Sequence, residues 1–260
     1  DDPFVQQELI NAFKHLIEAT DCDGFRVDAI KHVEFDFIRH WANEMRQHAA
    51  SLGKDDFLLF GEFFSFNDND HIPFAVDDGY SFNSVMYFSM MQTLKNVFES
   101  ENGTNQLGRI ANLGQFGEAA TRMVTFLDNH DVDRISLTKG GAWADALRPA
   151  IGFLYTASPI PTLFYGTEHG FDQGGRENRG LNDGDYQREN MMDYGYQWGN
   201  AQGNKFESPS EIKDLIGQIN AARDEYIALR RGGFQERWSS QSKGIYPPSM
   251  PPMAPCSRTF

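Results

Sequence analysis

Gly24-Phe25-Arg26-Val27-Asp28 is the stretch on which the fold turns. Side chains alternate along a strand, so Phe25 and Val27 lie on one face while Arg26 and Asp28 share the other. The apolar face suits packing helices and the charged face suits an interior that carries polar chemistry. The flanks read as helices. Upstream, Asp2 is a plausible N-cap with Pro3 at the first helical position, and Val5, Leu9, Phe13 and Leu16/Ile17 fall on one face, which predicts a helix from Pro3 to about Ala19. Downstream, Val33, Phe37, Trp41 and Met45 recur at helical spacing between His32 and Ala50, and Gly53 follows.

The alternation continues along the chain. Phe57–Phe60 reads as a strand, followed by a polar loop from Asn67 to Asp78. Phe82–Tyr87 reads as a strand feeding a helix to about Glu99, Met123–Leu127 as a strand, Ala142–Ala157 as a helix and Thr162–Tyr165 as a strand. After a Gly- and Asn-rich loop, a helix is predicted over Ser208–Arg231, with Ser208 or Ser210 as its cap. Five strands separated by helices make this an α/β chain with a parallel sheet. Doubly wound sheets and (β/α) barrels both fit. No GxGxxG or Walker-type loop follows any strand, which weakens the nucleotide-binding version.

Composition narrows the partners. The 260 residues carry 23 Lys+Arg and 37 Asp+Glu, a net charge of −14. Such a chain repels phosphate, so neither nucleic acid nor an anionic membrane surface is expected as a partner. The longest uncharged run, Pro149–Thr167, is interrupted by Gly152, Pro159 and Pro161, unlike a span of about 20 mainly apolar residues. Cys22 and Cys256 support neither a disulfide framework nor a thiolate metal site. Five of the 11 prolines fall between Pro247 and Pro255, and no acidic residue follows Glu236, so residues 247–260 read as a Pro-rich tail outside the folded part.

In a parallel barrel the chemistry sits at the C-terminal ends of the strands. Three strand ends here carry carboxylates: Asp28, Glu62 in Phe60-Gly61-Glu62, and the cluster Asp128-Asn129-His130-Asp131. One such residue would pass as a helix cap; three in polar clusters that break apolar runs ask for more. Arg26 beside Asp28 favours an ionised carboxylate, as a nucleophile at an anomeric carbon requires. Glu62 lies between Phe57–Phe60 and Phe63-Phe64, where desolvation favours the neutral acid. Retaining glycosidases use such a pair about 5–5.5 Å apart. His130, Asp131 and Asp133 offer a rival reading as metal ligands, weakened by the absence of any His-x-His among the 7 His. Phe63, Phe64 and Trp143 follow strand ends and are candidates for stacking on sugar rings.

These segments resemble a known family. Gly24 to His32 is similar to the second signature region of the α-amylase family, glycoside hydrolase family 13. Gly61-Glu62 resembles its third region, Phe126 to Asp131 its fourth, and Pro161 to Glu168 the segment at its eighth barrel strand. The resemblance covers roughly residues 1–246. It implies a (β/α)8 TIM barrel and a retaining glycoside hydrolase acting on α-1,4-glucans such as starch or maltooligosaccharides. Asp28 would be the nucleophile, Glu62 the general acid and base, and Asp131 the carboxylate that holds sugar hydroxyls and stabilises the transition state. Arg26 would orient Asp28, His130 and Asn129 would meet the cleaved sugar, and Lys31, His32 and Phe63 would complete the substrate-binding set. The family often binds Ca²⁺ through the backbone carbonyl at the position of His32, and no organic cofactor is implied. Transglycosylation on the same carboxylates, or a silent carbohydrate-binding role, are the alternatives.

The resemblance is partial. It matches the family's fourth to eighth strands, so residues 1–231 read as an incomplete barrel that needs the missing N-terminal half as partner. Residues 232–246 read as the entry to a C-terminal β-sandwich, and a frame-shifted or truncated gene model would explain the tail. A barrel lacking three strands exposes sheet edges and core, so the chain alone is expected to be poorly soluble and inactive. Polymer-degrading members of the family imply an extracellular or periplasmic location.

Overall fold

The computed structural model describes residues 2–75, 82–137, 143–180 and 186–242, without the side chains at 111, 112, 118, 143, 144 and 176. Helix α1 (Pro3–Thr20) starts as expected, with the Asp2 carboxylate accepting the Phe4 N–H at 2.9 Å and Pro3 at the first position. It ends at Asp21, in the left-handed region at φ 54°, whose N–H returns to the Ile17 carbonyl. Its inward stripe differs from the one the sequence suggested. Ile10 and Ile17 are buried, whereas Val5, Leu9 and Leu16 stay exposed and Phe13 lies at the margin, 37% exposed. Ile10, Phe13 and Ile17 recur at the i, i+3, i+7 spacing of one helix face. The aromatic neighbours select that stripe: Phe13 meets Phe25 and Trp41 edge-on, with ring centroids 5.8 and 5.3 Å apart.

Strand β1 (Gly24–Val27) leads through a short 3-10 turn, Ile30–His32, into α2 (Phe35–Ser51), and β2 (Leu58–Gly61) into α3 (Asp68–His71). Next come β3 (Ser84–Val85), α4 (Phe88–Leu94) with a π-helical extension Lys95–Glu99, and a long 3-10 stretch, Thr104–Thr121, interrupted at Gly117. The sequence pattern gives no reading of that stretch, and it reads α3 as part of a polar loop, where the Asn67 side chain caps a short helix by accepting the Asn69 N–H. Strand β4 (Val124–Phe126), α5 (Trp143–Ala157), β5 (Ile160–Thr162), α6 (Glu211–Glu225) and α7 (Ala228–Arg231) follow. Two boundaries are corrected. β5 lies before the expected Thr162–Tyr165 and contains Pro161; β5 pairs only with β4 among the described residues, and a one-sided strand tolerates the missing N–H. The single helix expected over Ser208–Arg231 begins at Glu211 behind the Ser210 cap and breaks at Tyr226, whose ψ of 99° is extended.

The strand pairings among the described residues are all parallel. β2 lies between β1 and β3, Met86 bridges to Val124, the Tyr87 N–H donates to the Val124 carbonyl at 2.8 Å, and β4 pairs with β5. The order is sequential, without the reversal that defines a doubly wound sheet. The two faces divide as the alternation in Gly24–Asp28 implied. Phe25, Val27, Leu59, Val85, Met123 and Leu127 join the core shared with the helices, centred on Trp41, which stacks on Phe82. Phe60, Met86, Val124, Phe126 and Ile160 form a separate apolar cluster on the opposite face. Residues 232–242 run without regular structure, tied to the 3-10 stretch where the Thr104 N–H donates to the Ser240 hydroxyl at 3.1 Å. The tail at 247–260, the segment 244–246 and the Trp143 side chain lie outside the described residues.

Gly24 faces the backbone of β2 so closely that a Cβ would overlap the Leu58 carbonyl oxygen. Gly24→Ala must part β1 from β2 where their register begins. The expected cost is about 1–3 kcal/mol, read as a lowered midpoint in urea unfolding; an unchanged midpoint would refute the close packing.

Candidate active site

The ends of β1 and β2 come together through one guanidinium. Arg26 pairs with the Asp28 carboxylate through one amino group and approaches Glu62 Oε2 at 3.2 Å through the other. The backbone completes the junction: the Glu62 N–H donates to the Val27 carbonyl at 2.8 Å and the Ile30 N–H to the Glu62 carbonyl at 3.0 Å. Between them Ala29 sits in the left-handed region at φ 47°, a conformation that strains a non-glycine residue. That geometry aims its N–H at Glu62 Oε2, 3.1 Å away. The residue type of Ala29 carried no signal of this.

The two carboxyl groups are driven apart. The hydrogen bond from Arg26 holds Asp28 below the usual carboxylate range, and the nearby His130 favours its charge as well. Burial pushes Glu62 up and outweighs the Ala29 N–H and Arg26, with the proximity of Asp28 adding to the rise. Glu62 is 7% exposed, whereas the Asp28 side chain is 71% exposed. One environment thus favours the anion and the other the neutral acid.

The third carboxylate stands at the end of β4. The Asn129 side-chain oxygen accepts the N–H groups of Asp131 at 2.8 Å and Val132 at 3.1 Å, a local turn that presents Asp131 outward. His130 Nε2 lies 3.1 Å from Asp131 Oδ2, both side chains half-exposed. His130 is near enough to favour the charge on Asp28, which sets the end of β4 on the same side of the sheet as that of β1.

Behind Asp131 lies a buried brace. Arg134 and Glu189 are both fully buried, paired through Nε at 3.1 Å and a terminal amino group at 3.0 Å. The other amino group donates to the Tyr165 carbonyl at 2.8 Å and the Thr167 hydroxyl at 3.2 Å, and the guanidinium lies 4.1 Å from the Phe164 ring centroid. Gln173 accepts the Arg134 N–H at 3.0 Å and donates its own N–H to Glu189 at 2.6 Å. Asp128 accepts from Thr167 at 2.8 Å and from the Ile135 N–H at 3.0 Å. Asp128 therefore points into the brace while Asp131 points out of it. Charged residues in loops gave the sequence no reason to expect so complete a burial.

The remaining expected residues divide. Lys31 donates to the Phe64 carbonyl at 3.3 Å and lies over the Phe64 ring. His32 is exposed in the 3-10 turn. Phe63 is half-buried, with its ring against Phe74 and His71, while Phe64 is exposed. Among the described residues no three His, Cys, Asp or Glu side chains gather where they could hold a metal ion. No such group therefore stands at the His32 carbonyl, the position that the resemblance gives to Ca²⁺. No described helix is long and apolar enough to cross a membrane.

A sequential parallel sheet with three carboxylates beyond the C-terminal ends of its strands, one pair pushed in opposite directions, defines an α/β protein of the barrel type that keeps its polar chemistry at the strand ends. The family model "Alpha amylase, catalytic domain" matches residues 1–228, and the chain belongs to the α-amylase family. It is 28% identical over 250 residues to a "Beta/alpha-amylase" of Paenibacillus polymyxa, covering 93% of this chain and 18% of that protein. It is 26% identical to a cyclomaltodextrin glucanotransferase of Klebsiella oxytoca, covering 90% of this chain and 38% of the relative. The α-amylase of Geobacillus thermoleovorans, solved in complex with acarbose, superposes with a TM-score of 0.71 at 25% identity, over 92% of this chain and 48% of that one. The chain spans less than half the length of each.

Two outcomes follow from the burial and charge at this edge. Glu189→Ala leaves the Arg134 guanidinium buried and unpaired, with an expected loss of about 3–5 kcal/mol in chemical unfolding. Glu62 has a folded pKa raised above its unfolded value, so the stability it contributes is full at low pH and is lost as pH rises through the folded pKa. Glu62→Gln is therefore expected to be more stable than the parent at pH 7. The gap should close below the ordinary Glu pKa of about 4.3; a gap that is constant with pH would show that ionisation of Glu62 is not its source.

Proposed function

We propose that this chain carries the catalytic carboxylates of a retaining glycosidase acting on α-1,4-linked glucans. The observation that carries the proposal is the asymmetry of the pair that Arg26 touches: its hydrogen bond draws the Asp28 pKa down, while burial pushes that of Glu62 up in spite of it. Asp28 attacks the anomeric carbon while Glu62 gives its proton to the glycosidic oxygen, so the C–O bond breaks as the glycosyl–Asp28 bond forms. Glu62, now a carboxylate, takes a proton from water, whose oxygen attacks the anomeric carbon and releases Asp28. Asp131, with His130 beside it, accepts hydrogen bonds from the hydroxyls of the ring as positive charge develops. Lys31 lies on the leaving-group side. No step is routed through a metal. The amylase and glucanotransferase relatives, and the acarbose held by one of them, support an α-glucan substrate.

In this reading β1 to β5 are the fourth to eighth strands of a (β/α)8 barrel, and turnover requires the first three βα units. Transfer to a sugar acceptor is the second reading, favoured by the glucanotransferase relatives; longer products from maltoheptaose would show it, shorter ones hydrolysis.

The test is maltoheptaose turnover by the chain joined to those three units from a relative. Turnover is expected in the joined protein and absent from the 260-residue chain alone. Glu62→Gln should lower kcat by about 10²–10⁴-fold. Activity should fall as pH drops through the lowered Asp28 pKa and as it rises through the raised Glu62 pKa. Arg26→Leu removes the group that holds Asp28 ionised, so the acid limb should move to higher pH. Turnover indifferent to Glu62→Gln would overturn the assignment.

A further inference from the structure

A groove between the loop after β2 and the α4 segment takes no part in the chemistry above. It encloses about 1030 Å³, at the upper end of the about 300–1,000 Å³ usual for small-molecule sites. Its lining is rich in amides: Gln92, Asn96, Asn105, Gln106 and Gln115 reach one surface. Phe66, 49% exposed, supplies an aromatic wall. Two polar atoms are buried there without a hydrogen-bond partner among the described residues, the hydroxyl of Ser89, itself 2% exposed, and Asp68 Oδ1. The other Asp68 oxygen is well used, accepting from Arg109 at 2.8 Å and Gln115 at 3.0 Å.

That chemistry selects a ligand class. An anion needs spare donors and positive charge, but Arg109 is committed to Asp68, and Glu236 adds a second carboxylate to the lining. An apolar ligand would strip water from the amides without replacing their hydrogen bonds. An amide offers both a donor and an acceptor, matching the hydroxyl of a sugar, and an exposed aromatic ring matches the apolar face of a pyranose. A smaller pocket of about 300 Å³ shares Phe66, Gln92 and Asn96 with the groove and reaches Val132 and Asp133, directly after Asp131. At the other side the Phe66 ring lies 5.5 Å from that of Phe64, whose carbonyl holds Lys31. The groove starts at the loop after Glu62, and the smaller pocket beside it continues toward the loop after Asp131.

We propose that this groove is a second saccharide-binding site, outside the three-carboxylate centre, which holds a stretch of α-glucan beside it. The α-glucan identity rests on the glycosidase reading; the preference for a polyol does not. Titrating the full 260-residue chain with maltoheptaose, followed by the side-chain amide NMR signals, should move those of Gln92, Asn96 and Gln115. Phe66→Ala and Gln92→Ala, both at a groove surface, should each weaken binding at least about tenfold, a change of about 1.4 kcal/mol, with the backbone spectrum retained. Asp28→Asn should leave the binding within about twofold. Amide signals that do not move, or binding lost with Asp28→Asn and kept in Phe66→Ala, would overturn the groove while leaving the glycosidase reading intact. Binding at the amides in a protein whose joined form shows no turnover would sink the glycosidase reading and uphold the groove.

Discussion

Arg26 lies between two carboxylates that would otherwise repel each other, and much of the structure can be understood as holding it there. It projects from β1 onto the same face as Asp28, and the register of β1 with β2 brings Glu62 within reach of its second amino group. That register depends on close backbone approach at Gly24 and on the aromatic packing of Phe25 with Trp41 and Phe57 behind the sheet. A one-residue slip would turn Arg26 into the helix layer. The unusual backbone at Ala29 belongs to the same constraint, since its N–H is the remaining donor to the buried Glu62.

The sheet separates two environments. Its helix-facing side is an apolar layer, and its other side carries a smaller apolar cluster below the polar edge. Glu62 sits where that burial meets the edge and Asp28 farther out in solvent, which is why burial raises one carboxyl group while Arg26 lowers the other. The pair acquires its asymmetry from depth in the sheet rather than from the difference between Asp and Glu.

At β4 the position of the third carboxylate depends on a different device. Arg134 and Glu189 are charges removed from water, tolerable because each is almost fully hydrogen-bonded. Their network ties the loop after β4 to the segment from Tyr165 to Gln173 and to Glu189, 55 positions beyond Arg134. Asp131 stands on this foundation without belonging to it.

The sequence by itself determined the α/β alternation, the two-faced β1 and the strand-end placement of Asp28, Glu62 and Asp131, because periodicity and the breaking of apolar runs are local properties. It also anticipated that Arg26 would ionise Asp28 and that apolar neighbours would raise Glu62. Tertiary structure alone decided the rest. Which stripe of α1 turns inward was settled by Phe25 and Trp41, and Phe63 rather than Phe64 was drawn against the core by Phe74 and His71. The left-handed Ala29, the second grip of Arg26 on Glu62 and the buried Arg134–Glu189 pair all join residues dozens of positions apart or depend on a neighbour's backbone. Local pattern records what a residue prefers, whereas these features depend on which distant group fills the space beside it.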